Sequence, residues 1–334
     1  MTTPVDTEPV RAGYGKLPGS REYIRLDSDR GAARWFRDFL DRAAMHFAIA
    51  PRLTGPGFRF VARVPDGDER TAPLVVASVW PSADEGGRRS FPFSFYTLVP
   101  PSSRPVGHAG LFTAVAALND DHEMLIGEAS ALIETTGFDR RFGSSQRPAP
   151  VPLGIDEART LQGERARSVP LAAWFDAVFD SDGGDPVASG AMVLWRVRNV
   201  LTAARGSLAR LGADCPGVRF PLAREYDACV QADTWLGLLA GPDGCLTCDT
   251  NMALGSMPHD GDLGLAVFFR PLSPRDAALF DGRGIRGMVD LATHREPADL
   301  DGFAGFEAHV RRIVSSPGAD LTRLPHLLDG LTSP

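Results

Sequence analysis

The first residues that could do chemistry form a glycine-rich run around Lys16, the only lysine among 35 basic residues. The run reads Gly13-Tyr14-Gly15-Lys16-Leu17-Pro18. A lysine after glycines is typical of phosphate loops, but a Walker A loop continues with Ser or Thr and then a helix. Leu17 and Pro18 follow here, so the sequence argues against a phosphate loop. A lone lysine in an arginine-rich chain instead indicates a place that needs a compact ammonium.

Cys245 and Cys248 form a CxxC pair, a spacing found in zinc and redox sites. A structural zinc site needs four ligands, and the other two cysteines, Cys215 and Cys229, are not spaced as a second pair. In a strand, residues three apart point to opposite faces. We therefore expect buried structural thiols, with no metal and no cofactor. A zinc-dependent module that recruits His259 is a weaker alternative.

The histidine-containing patterns do not complete a catalytic motif. His122 and the glutamate after it begin like the metalloprotease helix motif, but Ile126 occupies the place of the second histidine. The sequence has no Gly-x-Ser-x-Gly elbow, which argues against the simplest serine hydrolases. The turn with His259, Asp260 and Asp262 offers a base and two carboxylates, although a hydrated hairpin loop explains it more simply. The sequence therefore predicts a protein that is not an enzyme, with a hydrolase-type enzyme using that turn as the alternative.

Composition narrows the class of protein. The chain has 334 residues, 43% of them hydrophobic and 23% charged, as in ordinary globular proteins. A net charge of −7 argues against nucleic acid as a partner. No apolar run approaches the ~20 residues that span a bilayer, so direct membrane insertion is not expected. The polar start, residues 1–11, lacks the build of a signal peptide, so we expect a cytoplasmic protein with reduced cysteines.

The pattern of apolar and polar residues in the first half of the chain predicts its helices and strands. Residues 28–47 carry apolar side chains at helical spacing, which predicts a helix with one buried face. Three β-prone segments follow at 58–64, 74–80 and 91–99, joined by turn-forming residues. Strands in this order predict an antiparallel sheet with the helix packed on one face. A further long helix is predicted from about 109 to 135.

The predicted domain organisation has four parts. We assign 1–12 to a disordered N terminus, 13–138 to an N-terminal α/β region, 139–168 to a linker or long loop, and 169–334 to a C-terminal α/β region. Within the second part, the Gly/Pro-rich run 13–20 predicts a tight loop. The C-terminal region is predicted to have helices at 170–180, 188–211, 223–239, 299–314 and 319–329, and strands at 218–222, 245–249 and 263–269.

Two short signatures resemble the TagF/ImpM family, which is associated with the bacterial type VI secretion system. That family opens with Gly-aromatic-x-Gly-Lys-Leu-Pro and, shortly after, Gly-Asp-Phe-aliphatic. Its second signature is Ser-x-Asp-x-x-Gly-Arg-aromatic-Phe-Pro. The first signature matches here at Gly13, Tyr14, Gly15, Lys16, Leu17, Pro18, Glu22, Tyr23 and Ile24, with no residue between Tyr14 and Gly15. The second matches at Ser82, Asp84, Gly87 and Arg88, and Phe91 and Pro92 complete it after one extra residue. Arg21 replaces the usual glycine, and Ser90 stands where the family has an aromatic residue.

The resemblance implies regulation without catalysis. Members of the family are regarded as cytoplasmic, post-translational repressors of type VI secretion that bind a forkhead-associated scaffold protein. The implied fold is α/β (α+β): an antiparallel sheet flanked by helices, longin-like or profilin-like, with a second, mostly helical α/β half. The residues that match the two signatures are then the candidates for partner binding.

The lysine suggests how the two signatures could be joined. We expect Lys16 to pair with Asp84 or with a buried carbonyl, so that both signatures form one surface. A purely structural role for the Gly-Pro loop is an equally open reading, because such loops often only turn the chain.

Overall fold

The structure is a computed structural model of the chain. It describes residues 8–17, 23–29, 31–44, 58–64, 72–80, 82, 91–103, 110–133, 148–179, 184–204, 216–240, 251–256, 263–276, 288–291 and 302–328.

A nine-stranded sheet forms the centre of the molecule, with the strand order β2-β1-β5-β4-β3-β7-β8-β6-β9. Every neighbouring pair is antiparallel except β6 with β9, which is parallel. The strands are β1 (Val10–Gly15), β2 (Ile24–Leu26), β3 (Phe58–Arg63), β4 (Leu74–Trp80), β5 (Phe93–Val99), β6 (Gly217–Pro221), β7 (Asn251–Ser256), β8 (Leu263–Phe268) and β9 (Val289–Asp290).

Seven α-helices of the described ranges flank this sheet. They are α1 (Gly31–Ala43), α2 (Leu111–Ile133), α3 (Ile155–Arg167), α4 (Leu171–Phe179), α5 (Pro186–Ala204), α6 (Ala228–Ala240) and α7 (Phe303–Val314). The predicted class, an α/β fold with an antiparallel sheet flanked by helices, is confirmed. The predicted meander is also confirmed, since β3 pairs with β4 and β4 with β5.

The two faces of the sheet carry different helices. Helix α1 buries Phe36 and Phe39 against Phe60 and Tyr96 on one face. The other face packs against α2 and the C-terminal helices, and Val61 of β3 belongs to that core. Successive strand residues point to opposite faces, so the run from Phe60 to Val61 serves both cores.

Parts of the segments that were predicted to be irregular form regular structure. Residues 13–15 belong to β1, so the prediction of a loop over 13–20 is wrong there; residues 10–12, assigned to a disordered terminus, lie in the same strand. The predicted linker 139–168 contains α3, which contacts α2 and α6. The strand predicted at 245–249 lies outside the described residues, and the division into domains stays a prediction.

Helix α2 is held by its neighbours at its first turn. The carboxylate of Asp233, on α6, accepts hydrogen bonds from the backbone N–H groups of Phe112 and Thr113, each at 2.8 Å. These are among the N–H groups that a helix cannot satisfy internally. Within the described ranges, no helix combines the length and apolar character that crossing a membrane requires.

Candidate functional site

The pairing of β1 with β5 brings the two signatures into contact. Gly15 lies opposite Phe93, directly after the Phe91-Pro92 end of the second signature. Gly15 has φ +135°, and a Cβ there would lie 2.1 Å from the carbonyl oxygen of Pro92. Only glycine fits both the conformation and the close approach.

Three aromatic rings from both signatures converge on the α1 side of the sheet. We name Tyr14, Tyr23 and Phe91 the aromatic corner. The ring of Phe91 meets Tyr14 and Tyr23 edge-on, at centroid distances of 5.6 and 4.8 Å. Tyr14 and Tyr23 stack at 5.7 Å. Such geometries are the favourable ones for aromatic pairs, so the aromatic corner holds the two signatures together.

Polar contacts fix the aromatic corner in place. The hydroxyl of Tyr14 donates a hydrogen bond of 2.6 Å to Asp41 of α1. Burial, followed by this contact with a carboxylate, raises the pKa of Tyr14, so the phenol stays protonated. The backbone N–H of Phe91 donates to the carbonyl of Ser82 at 2.9 Å, which joins the start and the end of the second signature.

Lys16 is buried beside the aromatic corner, with 3% of its surface exposed. Its Nζ lies 4.9 Å from the centroid of the Tyr23 ring, within range of a cation–π interaction. Leu17 is fully buried next to it in the chain. The expected pairing of Lys16 with Asp84 stays a prediction, because Asp84 lies outside the described residues.

Most of the described signature residues are buried. Gly13, Tyr14, Gly15, Lys16, Leu17, Ile24, Ser82, Phe91 and Pro92 are buried, and Tyr23 is exposed at 36%. Pro18, Glu22, Asp84, Gly87 and Arg88 lie outside the described residues. Among the signature residues that the structure describes, Tyr23 therefore offers the accessible side chain.

A second group of polar side chains is sealed between the sheet and α2. His122 is fully buried; its Nε2 lies 2.9 Å from Oγ1 of Thr97, and its Nδ1 lies 3.3 Å from Oγ of Ser78. Ser78 also donates to Asn119 at 3.3 Å. Burial, with a smaller effect of the Arg11 charge, lowers the pKa of His122 to about 3, so the imidazole is neutral at physiological pH.

An ion pair ties β1 to the same helix. Nη2 and Nε of Arg11 donate to one carboxylate oxygen of Asp121, at 2.6 and 3.0 Å. Asp121 is buried, and a buried pair of this kind is costly to break by removing one partner. The contact therefore positions β1, which carries the first signature, against α2.

The contact between Ser78 and His122 has the residue types of a nucleophile and a base, but not the access. Ser78, Thr97, Asn119 and His122 are all buried at 1% exposure or less, so in this conformation a substrate does not reach them. Sequence reasoning missed this network. Its signal was the presence of Ser78 and Thr97 inside two otherwise apolar strand segments.

Of the cysteines and histidines considered from the sequence, some lie in the described structure and others do not. Cys229 is a buried free thiol. His259 and Asp260 lie outside the described residues, as do Cys245 and Cys248. The described residues include no group of three His, Cys, Asp or Glu side chains placed to hold a metal ion.

Comparison with known proteins finds distant structural similarity. No protein-family model and no curated protein match this chain. The solved structures that match include the crystal structure of PA0076 from Pseudomonas aeruginosa PAO1, at 21% sequence identity and a TM-score of 0.31. The match covers 43% of this chain and 65% of PA0076, so this chain spans less than two thirds of that protein. A similarity at this level establishes neither family nor function.

Replacing Gly15 tests the junction of the two signatures. Gly15→Ala is expected to lower the free energy of unfolding by about 3 kcal/mol, because the new Cβ meets backbone at a φ that alanine avoids. Gly163→Ala in α3 is the control: its Cβ meets no atom within 4 Å, and it should add about 0.5–1 kcal/mol. Urea unfolding measures both. A Gly15→Ala protein as stable as the wild type would contradict the β1–β5 pairing.

The buried imidazole predicts an acid-labile fold. Above pH 6.5, His122 is neutral in both the folded and unfolded chain; below it, the unfolded chain takes up a proton that the folded one refuses until about pH 3. His122 therefore costs stability as the pH falls, by about 2–3 kcal/mol between pH 6.5 and 4.

Variants isolate this contribution. His122→Gln should lose this part of the pH dependence of the unfolding free energy measured in urea. Thr97→Val removes one hydrogen bond to the ring and is expected to lower stability at every pH, but to keep the wild-type slope. Equal slopes in His122→Gln and the wild type would contradict a neutral buried imidazole.

Proposed function

We propose that this chain is an accessory protein of the bacterial type VI secretion system, and that it represses secretion post-translationally by binding a forkhead-associated scaffold protein. In this proposal the chain acts in the cytoplasm, as a binding protein without catalytic activity or cofactor. The resemblance of its two signatures to the TagF/ImpM family suggests this role.

One observation carries the proposal: two signatures some seventy residues apart meet in the fold. A chance match to two short patterns gives no reason for them to be neighbours. Here Gly15 lies against Pro92, and Tyr23 packs on Phe91. The meeting point also leaves one aromatic ring accessible, and exposed tyrosines are frequent hot spots of protein interfaces.

The proposal places Tyr23 at the interface with the scaffold protein. Its ring is exposed at 36%, while contacts with Tyr14, Phe91 and Lys16 fix its orientation. A side chain already held in one orientation loses little conformational entropy on binding. The buried signature residues then contribute by holding this ring.

A pull-down from the native host tests the proposal. We expect the wild type to capture a forkhead-associated protein of the secretion system, and Tyr23→Ala to bind it at least about tenfold more weakly. Tyr23→Phe should retain binding, because the ring packing is kept. Val151→Ala is the control, since Val151 is exposed at 62% outside both signatures.

A secretion assay tests the repressor role separately. Overproduction of the wild type should reduce release of a type VI substrate, and Tyr23→Ala should not. Capture of no forkhead-associated protein, or equal binding by Tyr23→Ala, would contradict the proposed interface. Lys16→Arg with unchanged binding would show that the ammonium is incidental to it.

A further inference from the structure

A cleft of about 440 Å³ opens on the α2 side of the sheet, away from both signatures. Residues of β3, β7, β8, α2, α3 and the N terminus of α6 line it. The volume lies within the range of small-ligand pockets, roughly 300–1,000 Å³. Neither the proposed regulatory function nor the buried polar network uses this space.

The wall of the cleft combines apolar and charged side chains. Leu254 and Leu263 contribute from the two adjacent strands, and Ala116 and Ala228 contribute from the helices. Cys229 adds a thiol that burial keeps protonated, because its pKa is raised to about 12. A ligand for this cleft therefore needs apolar groups of moderate size.

One cation in the cleft is only partly compensated. Arg59 donates to Glu123 at 2.9 Å through Nη2, and to the sulfur of Cys229 at 3.2 Å through Nη1. A neutral thiol is a weak acceptor, whereas the guanidinium has five donors arranged to fit a carboxylate. A carboxylate that replaces the sulfur as acceptor would improve the surroundings of Arg59.

One anion in the cleft has no charged partner. Asp120 is exposed on α2 and makes no hydrogen bond or ion pair within the described structure. It precedes Glu123, the partner of Arg59, by one helical turn, which places the two Cβ atoms about 5–6 Å apart. A ligand ammonium near Asp120 would therefore lie a short distance from a ligand carboxylate on Arg59.

The remaining charges of the cleft are already satisfied by one another. Arg165 pairs with Oδ2 of Asp227 at 3.4 Å. Oδ1 of Asp227 accepts the backbone N–H groups of Cys229 and Val230, at 2.8 and 3.2 Å, and so caps α6. The groups left for a ligand are Nη1 of Arg59, whose acceptor is a thiol, and the carboxylate of Asp120.

We propose that this cleft binds a short apolar zwitterion of the size of a dipeptide, with its carboxylate on Arg59 and its ammonium at Asp120. The apolar side chains of the ligand then lie against Leu254 and Leu263. A dipeptide is favoured over a single amino acid because it carries two side chains for these two leucines. The site is independent of the aromatic corner, so either proposal can fail alone.

Calorimetric titration of the full chain with three matched probes tests the site. The probes are Leu-Leu, N-acetyl-Leu-Leu, which lacks the ammonium, and Leu-Leu amide, which lacks the carboxylate. We expect Leu-Leu to bind, and each modified probe to bind at least about tenfold more weakly. No heat of binding at millimolar Leu-Leu, or equal affinity for all three probes, would overturn the proposal.

Two charge variants assign the contacts. Arg59→Gln should abolish the preference for Leu-Leu over its amide, and Asp120→Asn should abolish the preference over the acetylated form. Arg34→Gln and Asp176→Asn are the matched controls. Arg34 and Asp176 are exposed on α1 and α4, outside the cleft lining. If either cleft variant behaves like its control, the assignment is wrong.

A third variant tests the site by filling space, so the proposal stays testable even if the charge variants do not fold. Ala116 is half-buried at the edge of the cleft, and Ala116→Met places three more heavy atoms in its volume without altering a charge. Unfolding midpoints show that the variants are folded. Binding of Leu-Leu should fall at least about tenfold in Ala116→Met. Unchanged binding would place the ligand elsewhere and overturn the proposal.

Discussion

The pairing of β3 with β7 is the constraint on which the rest of the structure depends. Three residue pairs, with Phe60 opposite Ala253 at their centre, join strands from the two halves of the chain into one sheet. A strand inside a sheet has neighbours on both edges and is covered on both faces, so β3 must serve two cores at once. Phe60 and Val61 do so. Arg59 is the polar member of the three paired residues of β3, and its place at this seam puts its guanidinium in the cleft.

Helix α2 packs on β4 and β5, beside the seam, and polar contacts fix its position. Apolar packing alone tolerates small rotations and slides, whereas hydrogen bonds between buried groups require one geometry. Arg11 reaches Asp121, Thr97 reaches His122, and Asp233 binds the first turn. Burial raises the pKa of Asp233 to about 7, while hydrogen bonds from Thr113 and Phe112 act in the opposite direction. The geometry of α2 thus comes at an electrostatic cost, since Asp233 and His122 both titrate far from their ordinary ranges.

The sequence predicts the helices and strands that are determined by neighbouring residues in the chain. It fails for those that depend on contacts with residues far away in the sequence. The apolar period of α1 and the alternation of β3 and β5 are local, and both were identified correctly. Gly13-Tyr14-Gly15 has the composition of a turn and becomes a strand because β2 and β5 pair with it on its two edges. Helix α3 is mostly polar and buries only Ala158 and Ala166, so its amphipathic signal is weak. The signatures were found through a family resemblance, while the network around His122 depends on three segments that meet only in the fold.

Most of the described signature residues are buried, so they cannot contact a partner directly. In the proposed function, the run around Lys16 therefore acts through the residues that it supports. At a nearly closed position, an ammonium presents three donors from a compact centre, whereas a guanidinium would need space and acceptors for five. Lys16 lies against the Tyr23 ring at such a position. In the proposed function, the exposed face of Tyr23 is the surface through which this packing would reach a partner.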